Sequence, residues 1–169
     1  MNREQIKKVI YLHTLWLNKH RWGKQANLIG VDLSGSDLSG VNLFAANLSH
    51  ANLQGANLNH ANLQVANLKF AKMSRANLRS ARMLGANLSE ADLSEADFSA
   101  ADMSSTDLSR SNLNGANLDK AYLIRAKFTV ELKNTLNLHE CYYEASQFPF
   151  LAFNLDFLKM YKVPANHKI

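Results

Sequence analysis

The residues able to bind a metal, carry a proton or attack a carbonyl are few in this sequence, and they are scattered. Its six histidines stand at 13, 20, 50, 60, 139 and 167, and its one cysteine is Cys141. A metal site needs several such side chains to converge, yet no Cys pair appears and no glycine-rich phosphate loop either. Cys141 therefore reads as a packed thiol rather than a nucleophile. Acidic residues such as Asp92 and Asp97 recur at even spacing, but they recur together with everything around them. The same slot holds Asn or Asp through most of the chain, as hydrogen bonding in a turn would demand. The Asn-Leu-Ser triplets, such as Asn47-Leu48-Ser49, match a glycosylation signal only through that repetition. No catalytic residue, metal or other cofactor is expected, so the protein reads as a non-enzyme. What remains is to find the backbone that repeats every five residues.

The stretch ANLSHANLQGANLNHANLQVANL, residues 46–68, states the problem. An α-helix advances about 100° per residue, which would spread leucines five apart over every face. In a plain strand, side chains alternate, and half of the leucines would lie in water. The chain must turn once per repeat. With Leu as the centre, the phase is unbroken from Leu28 to Phe128, which makes 21 repeats; 16 centres are Leu, the rest being Met73, Met83, Phe98, Met103 and Phe128. Two residues before the centre stands Ala in 16 repeats, with Val31, Ser36, Val41, Thr106 and Ser111 as exceptions. Residues two apart on a short extended segment point the same way, so one large and one small side chain per side fill a narrow interior.

The motif, as in Ala51-Asn52-Leu53-Gln54-Gly55, resembles that of the pentapeptide-repeat proteins over about residues 26–130. The resemblance implies an all-β solenoid, a right-handed quadrilateral β-helix with four repeats or 20 residues to each coil and the Leu and Ala positions inside. Coils of a solenoid stack only on their neighbours, and the ends need caps. On such a coil His50 and His60 fall on opposite sides and are not metal partners.

Residues 1–25 read as an N-terminal capping helix. Ile6, Val9, Ile10, His13, Trp16 and Leu17 recur at helical spacing, Asn2 and Gln5 stand in capping-box register, and Gly23 suits the stop. Lys7-Lys8 ahead of VIYLHTLWL imitates a signal peptide, but His13 and Thr14 interrupt the run, no small-residue cleavage site follows, and it is too short to span a bilayer. The segment HTLWLNKHRWGKQANL also looks like the helix-led start of some pentapeptide-repeat proteins. A cytoplasmic, bacterial protein is expected. Residues 131–169 form irregular repeats and an aromatic C-terminal cap: ELKNT breaks the pattern, Leu138, Tyr143 and Phe148 keep the phase, and seven of the 15 aromatics lie here. Pro149 either opens a short helix to about Tyr161 or belongs to a further coil.

Six Lys/Arg and one acid lie in residues 1–25, nine of each sign in 26–130 and four of each in 131–169, so the whole excess of +5 sits at the N-terminus. The basic helix could touch nucleic acid or an anionic membrane, but its aromatic face reads more simply as a cap, and neither partner is expected. Within the repeats, a 20-residue coil pairs Lys72 with Asp92, Arg75 with Glu95, Arg82 with Asp102, Glu90 with Arg110 and Asp107 with Lys127. A 25-residue coil would also avoid like-charge clashes.

Two functional classes follow. One is a non-enzymatic scaffold for protein-protein interaction, with an unidentified protein partner or a homodimer through the C-terminal aromatic segment or an apolar face. The other resembles the quinolone-resistance members of the family, which imitate duplex DNA and protect gyrase; a solenoid whose charges sum to zero argues against it. Ile29, Phe44, Val65, Phe70, Leu84, Ile124 and Val130 are the large apolar residues just after centres, and all fall on two adjacent sides of a 20-residue coil. Such a stripe implies a partner-binding face or a terminal segment folded back over it. Phe44, Leu84 and Ile124, at 40-residue intervals on one side, are the expected anchors.

Overall fold

A computed structural model describes residues 1–128, 141–143 and 161–162. Every bridge along the repeats joins a residue to the one four repeats later, in parallel, from Asn27↔Asn47 to Asp107↔Lys127. The coil is thus four repeats long, and the longer alternative of five is excluded. Among the described residues the repeats hold no long strand; each side contributes one bridge before the chain turns.

The repeat 51–55 shows why five residues suffice. Ala51 N–H closes a turn onto Leu48 O at 3.0 Å, and Asn52 N–H donates to Val31 O in the coil before at 3.0 Å. Leu53 N–H and Gly55 N–H donate to Lys72 O and Ser74 O in the coil after, at 2.7 and 2.9 Å. The remaining donor, Gln54 N–H, is accepted by the Asn52 side chain at 3.2 Å. All five amides are satisfied, which matters because an orphaned buried one costs about 1–3 kcal/mol. The Asn or Asp before each centre is therefore part of the backbone's own bonding. Successive Asn side chains also join coil to coil: Asn52 Nδ2 donates to Asp32 Oδ1 at 3.0 Å and Asn117 Nδ2 to Asp97 Oδ1 at 3.1 Å.

The interior is one continuous column of centres and small residues, from Ala26 and Leu28 through Leu123 and Ala126. Where Thr106 and Ser111 replace Ala, their buried hydroxyls donate to Met103 O and Leu108 O at 2.7 and 2.8 Å, so the polar atoms enter the core with a partner. The other three exceptions, Val31, Ser36 and Val41, lie in the first coil, which among the described residues has a neighbouring coil on one side only.

Helix α1 (Arg3–Leu17) starts at the expected capping box of Asn2 and Gln5. Its end differs from expectation. Lys19 takes the left-handed conformation with φ 55°, its N–H bonds Trp16 O, and His20 N–H bonds Leu15 O, the double closure that ends a helix by itself. Gly23 lies beyond that stop and serves a different purpose: a Cβ there would sit 2.2 Å from the Trp16 backbone nitrogen, so the returning chain can pass the helix only at glycine. Ile6, Val9 and Ile10 pack against the core, and fully buried His13 accepts the Ala26 N–H on Nδ1 at 3.0 Å. Ala26 has no preceding repeat to supply that acceptor, so a histidine supplies it. Trp16 stacks on the ring, with centroids 5.4 Å apart.

Beyond Phe128 the register persists. Tyr142 bridges Tyr122, its counterpart one coil earlier, and their rings stack at 4.5 Å. Strand β1 (Tyr142–Tyr143) pairs in parallel with β2 (Tyr161–Lys162), Tyr142 facing Tyr161. Cys141 falls in the small-residue slot, fully buried, with Sγ bonded to Leu118 O at 2.6 Å and its thiol pKa pushed up to about 12 by burial. It is a packed thiol. Leu138, Phe148 and the helix-or-coil question at Pro149 lie outside the described residues, although Tyr161 itself is extended.

Burial lowers the affinity of His13 for a proton, and its Nδ1 is occupied as an acceptor only while neutral. The unfolded chain protonates at the ordinary histidine pKa and the native chain does not, so stability present above about pH 6.5 declines as pH falls below it. Thermal unfolding of the wild type should show that decline between about pH 7.5 and 5.5, and His13→Gln, which keeps an acceptor without titrating, should flatten it. Parallel pH profiles would rule out this role for His13.

Candidate functional site: the outward side of the solenoid

Each repeat turns at the two residues after its centre, and these are the side chains the solenoid offers to solvent. The second of them has φ between 53° and 71° in every repeat from Gly30 to Arg125, and only six of these positions are glycine. Closing the turn requires this conformation at its third residue. A side chain there costs roughly 1–2 kcal/mol, most for a β-branched one. Val65, at φ 58°, is such a residue. Its N–H bonds Leu84 O and the next amide, Ala66, bonds Leu63 O, both at 3.0 Å, so stacking holds the strained conformation in place.

On the side carrying centres 43, 63, 83, 103 and 123, Phe44, Val65 and Leu84 are 36%, 57% and 42% exposed. They belong to three successive coils, so Phe44 and Leu84 stand two coil spacings apart, about 9–10 Å. Gln64 lies between them in the stack, with Ala45 and Gly85 flanking Val65. Ile124, expected as the third anchor, is 8% exposed and is corrected to a buried residue. It adjoins the junction where the chain returns on top of its repeat, with Leu123 N–H donating to Tyr142 O at 2.8 Å and Tyr142 N–H to Ala121 O at 3.0 Å. Val130 lies outside the described residues.

The adjacent side is less apolar than its sequence suggests. Ile29 is exposed, but the Phe70 ring stacks on His50 at 4.7 Å and carries Lys69 Nζ 4.7 Å from its centroid. Lys69 in turn pairs with Glu90 at 3.3 Å. Phe70 thus belongs to a mixed column of aromatic, basic and acidic groups. Of the five stacked charge pairs expected, Arg75–Glu95 is a two-point ion pair at 2.8 and 3.3 Å, and its hydrogen bonds hold Glu95 below and Arg75 above their ordinary pKa values. Lys72–Asp92, Arg82–Asp102 and Asp107–Lys127 are register partners through the backbone. Two diagonal contacts, Lys69–Glu90 and Arg79–Asp97 at 3.3 Å, were not legible from strict coil register, because long side chains reach past their own stack.

Among the described residues, no three His, Cys, Asp or Glu side chains come together, and no helix is long and apolar enough to cross a membrane.

A model of pentapeptide repeats matches the chain in eight copies, over residues 24–44, 42–79, 71–110 and 91–129, which spans 106 of its 169 residues. No functionally curated protein matches it. Among solved structures, a pentapeptide repeat protein from the thylakoid lumen of Arabidopsis thaliana is 28% identical over 64% of this chain and 69% of its own, with TM-score 0.32. The pentapeptide repeat protein Rfr23 of the cyanobacterium Cyanothece is 25% identical over 78% and 98%, with TM-score 0.42. QnrB1, a plasmid-mediated fluoroquinolone resistance protein, is 19% identical over 69% and 74%, with TM-score 0.33. With all three scores below one half, none of these overlaps bears on what the chain does.

If Val65 is strained, Val65→Asn should raise the melting temperature by about 2–4 °C, since Asn tolerates the left-handed region, and Gly55→Val should lower it by a similar amount. No atom lies within 4 Å of a Cβ built on Gly55, so crowding would not explain its loss. Unchanged melting in both variants would remove strain from the account.

Proposed function

The chain belongs to the pentapeptide-repeat family, and we propose that it is a non-enzymatic scaffold that binds another protein through the side carrying Phe44, Val65 and Leu84. The observation that supports this reading is the exposure of all three on consecutive coils of one side. A stacked β side is rigid before contact, so little ordering entropy opposes binding there. We read the solenoid itself, on the family likeness, as right-handed and quadrilateral, with α1 capping one end and the aromatic-rich residues 131–169 the other.

The triple variant Phe44→Ser, Val65→Ser, Leu84→Ser should keep the wild-type circular dichroism. It should lower the mass seen by light scattering if the partner is a second copy, or abolish capture of the partner from the native host if it is foreign. Mass and capture both at the wild-type level would show that this side is no interface.

The DNA-mimic reading has little support, because the acids of the 90–107 band stand against bases of the coil before: Glu90 with Lys69, Glu95 with Arg75 and Asp97 with Arg79. Duplex imitation requires an unneutralised negative rod. Gyrase supercoiling, with and without a fluoroquinolone, should be unchanged by micromolar amounts of this protein; clear protection would reverse the ranking.

A further inference from the structure

Among the described residues, the backbone bonding of the repeats stops at the first coil. In later coils the residue before each centre donates its N–H to the coil before, as Asn52 does to Val31 and Asn57 to Ser36. In the first coil the N–H groups of Asp32, Asp37 and Asn42 have no hydrogen-bond partner among the described residues, although the N-terminal ammonium lies near enough to act on the Asp32 carboxylate. The carbonyls of Asp32, Ser34, Asp37 and Ser39, which would accept from a preceding coil, are likewise unpaired among those residues. Helix α1 and its return segment engage this coil elsewhere, where His13 meets Ala26 and Gln25 donates to Ala45 O. Among the inward positions of this coil Ser36 and Val41 are only half-buried, whereas those of the second coil are fully buried, and Asp32, Ser34, Asp37 and Ser39 are themselves exposed.

Charge makes this edge selective. Asp32 and Asp37 are the sole acidic residues between positions 5 and 89. Each accepts from the coil after, Asp32 from Asn52 and Asp37 from Asn57, and an ionised carboxylate has no proton to donate to a chain on its other side. A neighbour there must itself bring donors. Within the solenoid four aspartates follow such a neighbour in backbone register, Asp92 after Lys72, Asp102 after Arg82, Asp97 after Asn77 and Asp107 after Asn87.

We propose that the open edge at Asp32–Ser39 is a strand-addition site for a basic extended segment of a partner protein, whose backbone pairs with Asp32 and Asp37 and whose Lys or Arg side chains meet their carboxylates. In each repeat the segment's carbonyl accepts the aspartate N–H, and two of its amides donate to the Asp and Ser carbonyls, which is the bonding pattern of one coil on the next. This site is separate from the Phe44 side and stands whether or not that side binds.

The test is a titration of the full-length protein with a short acetylated peptide bearing two lysines five residues apart, followed by backbone amide NMR. The lysine peptide should shift the Asp32 and Asp37 amides and slow their hydrogen exchange. The same peptide with glutamates, or with the paired backbone nitrogens methylated, should not. Asp32→Asn with Asp37→Asn should weaken binding about tenfold, about 1.4 kcal/mol, without loss of circular dichroism. Shifts confined to the Phe44 side, equal binding of the glutamate peptide, or no shift at millimolar peptide would each overturn the proposal.

Discussion

A chain that turns every five residues must satisfy five backbone donors per repeat without a regular strand, and the rest of this structure depends on how it does so. Neighbouring coils take three of them, the turn itself takes one, and the last goes to the side chain of the Asn or Asp before the centre. Strict register between coils follows, because each coil must present its acceptors directly above the donors of the last. The interior follows too: with two side chains per repeat pointing inward, a small residue must accompany each large one. Where Thr106 and Ser111 take the small position, their hydroxyls reach a carbonyl.

The same requirement shapes the outside. Forcing the last residue of each repeat into the left-handed region holds exposed side chains such as Val65 and Phe70 at fixed positions on the solenoid. Function can then be written in those positions with little disturbance to the column within. Leu84 shows the separation: it is exposed while Met83, next to it, is fully buried. Charges use the outer positions for register. Each exposed pair contributes only about 0–1 kcal/mol, but Arg75 over Glu95 would be lost by any slip between coils that are otherwise alike.

Ends are where a solenoid departs from its rule. At the start, His13 stands in for the missing repeat by accepting the Ala26 amide, and α1 brings its apolar face to the core. The helix buries side chains but cannot replace a coil's backbone bonding along every side, because its own amides are already committed. Past the repeats, Tyr142 continues the stack by bridging Tyr122, although the sequence beyond Phe128 has lost the motif.

The inside and outside assignment and the helix with its capping box were legible in the sequence, because each is set by local bonding that recurs or by short-range spacing, whereas the coil length was implied by the family resemblance and decided by the bridges between coils. Period five with a small residue two before the centre admits one arrangement of interior positions, and the charge pattern was consistent with four repeats per coil. Only the tertiary structure decided how individual outward residues are used. Ile124 has the same slot and character as Phe44 and Leu84, yet the returning chain around Tyr142 adjoins it and it is buried. Phe70 looks apolar in the sequence and is engaged by His50 and Lys69. Gly23 looked like a helix stop and proved to be a close approach, while Lys19 made the stop. These outcomes depend on which chains meet in space. A repeat specifies its own bonds through its residue types, but what lies against an outward side chain is set by segments far along the sequence, and no local pattern encodes them.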